Sequence, residues 1–98
     1  MNRRLTFKRE AEADVDETYL WYKERSSRVG SRFLRAVDAT LANIERNPFA
    51  YQIVLRSARR ATLRRFPYSI YFVIRESDIV ITACVHGHRD PAVWQNRL

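Results

Sequence analysis

The sequence predicts a two-layer α+β domain in which an antiparallel helical hairpin packs on a mainly antiparallel sheet, in the order βααβββ. Three observations predict this fold class. The chain has 98 residues, enough for one domain. Two segments with the apolar period of a helix are separated only by a short break. Three apolar segments divided by turn signals follow them. We therefore expect residues 1–98 to form a single domain.

The first half of the chain contains a short strand and two amphipathic helices. The strand covers residues 5–8, the first helix runs from about Arg9 to Ser26, and the second continues to about Arg46, where Asn47-Pro48 ends it. Apolar residues recur with helical spacing in both helices, at Ala11, Val15, Tyr19 and Tyr22 and then at Val29, Phe33, Val37, Leu41 and Ile44. The break at residues 26–28 is short, which predicts an antiparallel hairpin.

Three strands are predicted in the second half, over residues 59–65, 68–75 and 79–86, while the role of residues 51–55 is left open. A four-residue loop in the last hairpin predicts the pairs Ile74 with Ile79, Phe72 with Ile81, Ile70 with Ala83 and Tyr68 with Val85 on the core face. Because strand side chains alternate, the opposite face then collects Arg60, Thr62, Arg64, Ser69, Tyr71, Val73, Arg75, Val80, Thr82, Cys84 and His86. This register predicts a basic, polar second face with an aromatic residue in its middle.

The charges are strongly partitioned. The chain has 18 basic residues, sixteen of them arginine, against 11 acidic ones, for a net charge of +7. Residues 10–24 hold six acids, whereas residues 56–65 hold Arg56, Arg59, Arg60, Arg64 and Arg65 without an acid. Such a segment suits a phosphate backbone or an acidic protein partner. Alternatively, these arginines bind no partner: they belong to a solvent-exposed edge strand, and their charges prevent it from aggregating.

Histidines and an arginine gather at the end of the last strand, in the segment His86-Gly87-His88-Arg89-Asp90-Pro91. A histidine there suits proton transfer on a ribose hydroxyl, with Arg89 or Arg64 steadying the phosphate; the alternative is a strand-ending turn. Cys84 alternates with these residues, but the glycine and the proline interrupt the strand, so no metal site is expected. Cys84 is expected to be a small buried residue and Trp94 a core anchor.

No segment approaches the roughly 20 apolar residues of a membrane helix. The basic N-terminal residues are not followed by the apolar run of a signal peptide. We therefore expect a cytoplasmic protein without a membrane partner.

Four motifs together resemble the RelE/ParE superfamily of bacterial type II toxins, and the resemblance covers nearly the whole chain. They are Trp21-Tyr22 at the end of an acidic first helix, Asn47-Pro48 after the second, the turn Arg64-Arg65-Phe66-Pro67-Tyr68 before the strand residues Ile70-Tyr71-Phe72, and the histidine segment before Trp94. The resemblance implies a toxin without a cofactor, encoded beside an antitoxin whose extended segment wraps it. RelE-like members cleave mRNA in the ribosome, whereas ParE-like members poison DNA gyrase without a known catalytic site.

The residue pattern is closer to the ParE branch. Thr62 and Ser69 stand where the RelE branch uses lysine and arginine, and Trp94 and Gln95 stand near its missing C-terminal tyrosine. The resemblance therefore predicts a gyrase inhibitor neutralised by a ParD-like antitoxin, and its target or antitoxin would contact Arg59, Arg60, Arg64, Arg65, Tyr71, Arg75 and Trp94. The alternatives are an inactive member or a metal-independent ribonuclease acting on the ribosome, with the catalytic candidates Arg60, Arg64, His86, His88 and Arg89.

Overall fold

The computed structural model describes residues 3–98; Met1 and Asn2, which the single-domain prediction includes, lie outside them. The strands are β1 (Arg4–Phe7), β2 (Ile53–Leu55), β3 (Ala58–Thr62), β4 (Tyr68–Arg75) and β5 (Asp78–His86). The helices are α1 (Arg9–Arg25), α2 (Ser27–Arg46) and α3 (Ala92–Gln95), with a 3₁₀ turn at Pro48–Ala50. No helix among these residues is long and apolar enough to cross a membrane.

Only Ser26 separates the two helices of the hairpin, whereas a break of three residues was predicted. The backbone N–H of Ser26 donates to the carbonyl of Tyr22 at 2.8 Å and so ends α1. Its side-chain oxygen accepts a hydrogen bond from the N–H of Val29 at 3.3 Å and caps α2. Gly30 lies against α1, where an added Cβ would be 3.2 Å from backbone atoms of Lys23. The two helices therefore pack closely at the turn.

The sheet has the order β1-β5-β4-β3-β2. β1 runs parallel to β5, and the other neighbouring strands are antiparallel. This agrees with the predicted mainly antiparallel α+β fold and adds one strand to it, since residues 53–55, whose role the sequence left open, form the edge strand β2. β3 ends at Thr62, three residues earlier than predicted.

The predicted register of the last hairpin is correct in one half and wrong in the other. Ile74 pairs with Ile79 and Phe72 with Ile81, as expected. A bulge at Thr82 then shifts the register, and Ile70 pairs with Cys84 and Tyr68 with His86 instead of with Ala83 and Val85. The hydroxyl of Thr82 donates to the carbonyl of Tyr71 at 3.2 Å within this bulge. The extra residue exchanges the faces of every later side chain in β5.

The bulge gives the sheet apolar residues on both faces. The main core lies between the sheet and the helical hairpin and includes Phe33, Ile44, Phe72 and, contrary to prediction, Cys84. The opposite face was predicted to be basic and polar, but its centre is a second apolar cluster formed by Ala58, Tyr71, Val73, Ala83, Val85 and Trp94. This cluster seats the C-terminal helix α3.

A largely buried ion pair completes the edge of β5 beyond the point where β1 stops. Asp14 on α1 accepts a hydrogen bond from the backbone N–H of Cys84 at 2.9 Å. Arg97 donates to both carboxylate oxygens of Asp14, at 2.6 and 3.2 Å, and to the carbonyl of Thr82 at 3.2 Å. Hydrogen bonding to Asp14 raises the pKa of Arg97. Asp14 thus provides a hydrogen-bond acceptor, and Arg97 a donor, to backbone groups of β5 that a longer β1 would have paired. The pair also attaches the C-terminal segment to the sheet.

Candidate functional site

A shallow groove crosses the sheet face opposite the helical hairpin. Its volume is about 360 Å³, and we call it the sheet groove; it is lined by Gln52, Ile53, Val54, Arg60, Tyr71, His86, Gly87, Arg89, Pro91, Trp94 and Gln95. β2, β3, β4 and the segment after β5 all contribute to it. Five of the residues singled out from the sequence meet here, namely Arg60, Tyr71, His86, Arg89 and Trp94.

Two stacked aromatic rings occupy the centre of this face. Trp94 lies parallel to Tyr71, with 4.2 Å between the ring centroids and 12° between the ring planes. Both side chains are buried within the second apolar cluster, so Trp94 is the core anchor that the sequence predicts. The stack attaches α3, a helix of only four residues, to the sheet.

The rest of the lining provides hydrogen-bond donors and no carboxylate. Arg60 is exposed on β3 directly opposite Tyr71, and Arg89 is exposed in the turn after β5. The amides of Gln52 and Gln95 add neutral polar groups. Guanidinium groups hold their charge at any physiological pH and match phosphate or carboxylate oxygens in pairs. The sheet groove is therefore suited to an anionic group of a partner.

His86 borders the sheet groove at the end of β5. It pairs with Tyr68, so its ring lies on the hairpin side of the sheet, where local contacts hold it. Its Nδ1 accepts a hydrogen bond from the backbone N–H of His88 at 2.9 Å, which leaves the proton of the neutral ring on Nε2. The ring meets Tyr68 edge to face at 5.2 Å. The N–H of Gly87 donates to the carbonyl of Pro67 at 2.8 Å, which ties this segment to the β3–β4 turn. The residue therefore borders the groove while its ring packs against Tyr68, and the prediction that the His86 side chain lies on the groove face is wrong because the bulge shifts the register.

The remaining basic candidates lie away from the sheet groove. Arg59 points to the other face of β3, where its guanidinium donates to the carbonyl of Tyr51 at 2.7 Å and lies 5.2 Å from the Phe49 ring centroid. Arg64 and Arg65 are exposed in the β3–β4 turn, where Arg65 has a φ of 67°. Arg75 and His88 are exposed, and neither lines the groove. The basic segment is therefore divided between two sheet faces and a turn.

Two neighbouring positions on the groove face carry hydroxyls instead of cations. Thr62 pairs with Ser69 across β3 and β4, and their side-chain oxygens lie 3.0 Å apart, so one hydroxyl donates to the other. Ser69 is buried. This part of the face is neutral and internally satisfied.

Cys84 is inert in the folded protein. Burial, and to a smaller extent the charge of Asp14, raises the pKa of its thiol to about 12 from an ordinary value of 9.0. The thiolate, which is the nucleophile and the metal ligand, is therefore not formed near neutral pH. Over residues 3–98, no three His, Cys, Asp or Glu side chains come together as a metal site would require.

The part of the sheet groove formed by β2 and α3 is not evident from the sequence. Residues 52–54 form one wall, and Gln95 follows Trp94 along the other. The signal for β2 was the apolar run Ile53-Val54-Leu55 after a proline turn, but three residues are too few to establish a strand by alternation.

The fold and the groove together define a small basic α+β domain in which a groove lined by Arg60 and Arg89 lies opposite a helical hairpin. The family described as "ParE toxin of type II toxin-antitoxin system, parDE" matches residues 5–91. Among solved structures, the chain is similar to one titled "Chromosomal ParDE TA system from P. aeruginosa", with a TM-score of 0.76 and 19% sequence identity, over 86% of this chain and 95% of that chain. No curated protein sequence gives a significant match.

The chain belongs to the ParE toxin family of type II toxin–antitoxin systems. The resemblance to the ParE branch is thereby confirmed, together with the α+β fold and the role as the toxin component of such a system. Membership in a toxin–antitoxin system implies a cognate antitoxin as a partner.

Proposed function

We propose that the protein inhibits DNA gyrase by binding, without catalysing a reaction of its own, in the cytoplasm. The observation that carries this proposal is the Thr62–Ser69 pair, whose hydroxyls lie 3.0 Å apart at positions where the ribonuclease branch of the superfamily uses lysine and arginine. The stacked rings of Tyr71 and Trp94 support the same conclusion, because they cover the centre of the face with packed apolar surface. Both features favour a binding face over a phosphodiester-cleaving one.

A binding-type toxin inhibits its target by stabilising one of the target's states. Gyrase alternates between a state with intact DNA and a state in which the DNA is cut. A ligand that binds the cut state more tightly shifts the population toward it, in proportion to the difference in affinity. The exposed guanidinium groups of Arg60 and Arg89 are the contacts that we assign to the target, since nothing in the groove neutralises them.

The test is a plasmid supercoiling assay with purified gyrase. We expect the wild-type protein to inhibit supercoiling and the double variant Arg60→Gln, Arg89→Gln to need at least about tenfold more protein, since losing two charge-assisted contacts costs more than about 1.4 kcal/mol. The matched control, Arg4→Gln with Arg9→Gln, removes the same charge from exposed positions outside the sheet groove. Unimpaired supercoiling at an excess of wild-type toxin contradicts the proposed function.

A ribosome-dependent mRNA endoribonuclease is the second candidate, favoured by the meeting of His86 with Arg60 and Arg89 in one groove. In that case His86 would take the proton of a ribose 2′-hydroxyl, and the two arginines would stabilise the charge on the phosphate. Replacing both His86 and His88 with glutamine should then abolish toxicity without loss of folding. Full toxicity of the folded double variant contradicts this candidate.

We also propose that the basic segment contributes to antitoxin binding. The free edge strand β2 offers unpaired backbone groups to an extended segment, and Arg60, Arg64 and Arg65 are exposed beside it or in the next turn. Changing these three arginines to serine should weaken antitoxin binding and reduce its salt dependence. Arg59 is kept in this test because its guanidinium supports the fold at Tyr51. An unchanged affinity and salt dependence would exclude the electrostatic contribution.

A further inference from the structure

The outward face of α2 carries a line of arginines that neither the sheet groove nor the helical hairpin uses. Arg28, Arg32, Arg35 and Arg46 are all exposed, and we call them the arginine stripe. At 100° per residue, their directions fall within about 60° of one another. The buried residues of the helix, Gly30, Phe33, Val37, Thr40 and Ile44, point to the opposite side. The stripe therefore faces directly away from the core.

The charges of the arginine stripe are uncompensated. The ion pairs found within residues 3–98 are Arg4 with Asp78 and Arg97 with Asp14, and neither includes a residue of the stripe. The acids of α2, Asp38 and Glu45, lie about 80° and 100° from the direction of Arg28 and Arg46; Asp38 is about 60° from Arg35 but forms no ion pair with it. Arg46 donates to Asn43 on its own helix. The first three arginines are thus free to meet an external anion.

The spaces along the stripe are filled by small residues. Ala39 and Ala42 are both exposed; Ala39 lies within the angular range of the arginines and Ala42 about 20° outside it. The stripe contains no aromatic or large aliphatic side chain, which is the kind of residue that provides most of the affinity in protein–protein interfaces. A partner of this face must therefore be bound through charge, and it can approach the helix backbone closely.

We infer that the arginine stripe binds the sugar–phosphate backbone of duplex DNA. Arg28 and Arg35 are separated by a helix rise of about 10.5 Å, a length in which one DNA strand presents about three phosphates. A line of planar guanidinium groups matches such a regular row of paired acceptor oxygens. This surface lies on the side of the sheet opposite the sheet groove, and the inference does not depend on gyrase being the target.

The test measures the affinity of the full chain for a fluorescein-labelled 20-base-pair duplex by fluorescence anisotropy between 50 and 200 mM salt. Three arms are compared with the wild type: Arg28→Gln, Arg32→Gln, Arg35→Gln for the stripe; Arg60→Gln, Arg64→Gln, Arg89→Gln for the sheet face and turn; and Arg4→Gln, Arg9→Gln, Lys23→Gln as a control with the same net charge. Glutamine keeps a helix propensity close to that of arginine, and the three stripe residues that are replaced are exposed, so thermal unfolding should be unchanged.

Losing three phosphate contacts should reduce the slope of log K against log salt by about 2.7 in the stripe variant. Over the fourfold change in salt, the wild type should then lose about 40-fold more affinity than the stripe variant does. A slope that falls equally in the stripe and control variants would mean that only net charge matters, and this overturns the inference. A reduced slope found only in the sheet-face variant also overturns the inference. The same holds if the stripe variant binds the duplex normally but has lost affinity for a polyglutamate peptide.

Discussion

Replacing Asp14 with alanine tests how α1 and the C-terminal segment are attached to β5. The substitution removes the acceptor for the N–H of Cys84 and the partner of Arg97, so it leaves a buried donor and a guanidinium without their acceptor. The side chains of Arg97 and Asp14 are only 17% and 11% exposed. The charges are therefore largely desolvated, and breaking the pair should cost far more than breaking a surface salt bridge.

The expected loss is about 3 kcal/mol, the lower end of the range for removing one partner of a buried ion pair, because both side chains keep some contact with water. In a domain of this size, such a loss lowers Tm by about 15 °C. Arg97→Ala should cost less, about 2 kcal/mol, because Asp14 keeps its hydrogen bond from Cys84. The double variant should be less destabilised than the two single losses added together.

Urea unfolding followed by circular dichroism measures all three variants on one scale. Asp16→Ala provides a matched control, since it removes an exposed aspartate from the same helix. A loss below about 1 kcal/mol for Asp14→Ala, or additive losses in the double variant, would refute the assignment of this pair as the closure of the β5 edge.

Three further predictions concern the thiol, the aromatic stack and the hairpin. Iodoacetamide should leave Cys84 unmodified at pH 8 until the protein is unfolded. The pKa of the thiol is about 9 in the unfolded chain and about 12 in the folded one, so the free energy of unfolding should fall as the pH rises from 9 to 12. Cys84→Ala should reduce that fall. Trp94→Ala should cost about 3–5 kcal/mol in urea unfolding, and Trp94→Phe should restore part of it; a loss below 1 kcal/mol would mean that the stack with Tyr71 does not anchor α3. Ser26→Ala should cost about 1 kcal/mol, whereas Ser26→Asp should be nearly neutral; equal losses in both variants would argue against the cap.

The sequence predicts the elements of the fold well, since each long element has its own periodic apolar pattern. The stripe from Phe33 to Ile44 and the alternation in β4 both arise from residues that are near one another in the chain. The bounds of β4 agree with the prediction residue for residue. The edge strand β2 has three residues and pairs irregularly with β3, so it leaves no comparable pattern.

The bulge at Thr82 is the main reason why the candidate site was predicted only in part. Nothing near Thr82 in the sequence marks an extra residue, because Ala83 and Cys84 are both small and suit either face. The inserted residue moves Ala83 and Val85 to the groove side, where they complete the seat of Trp94. The pairing of Asp14 with Arg97, 83 positions apart, is likewise fixed by packing and not by any local signal.

The proposed gyrase inhibition is tested most directly by asking whether the protein traps gyrase on cut DNA. Purified gyrase, supercoiled plasmid and the wild-type protein are incubated with and without ATP, the reaction is stopped with detergent and protease, and linear DNA is measured beside a gyrase-free control. We expect linear DNA that requires both gyrase and the toxin. Absence of linear DNA at an excess of toxin would contradict the proposed inhibition, as would linear DNA that forms without gyrase.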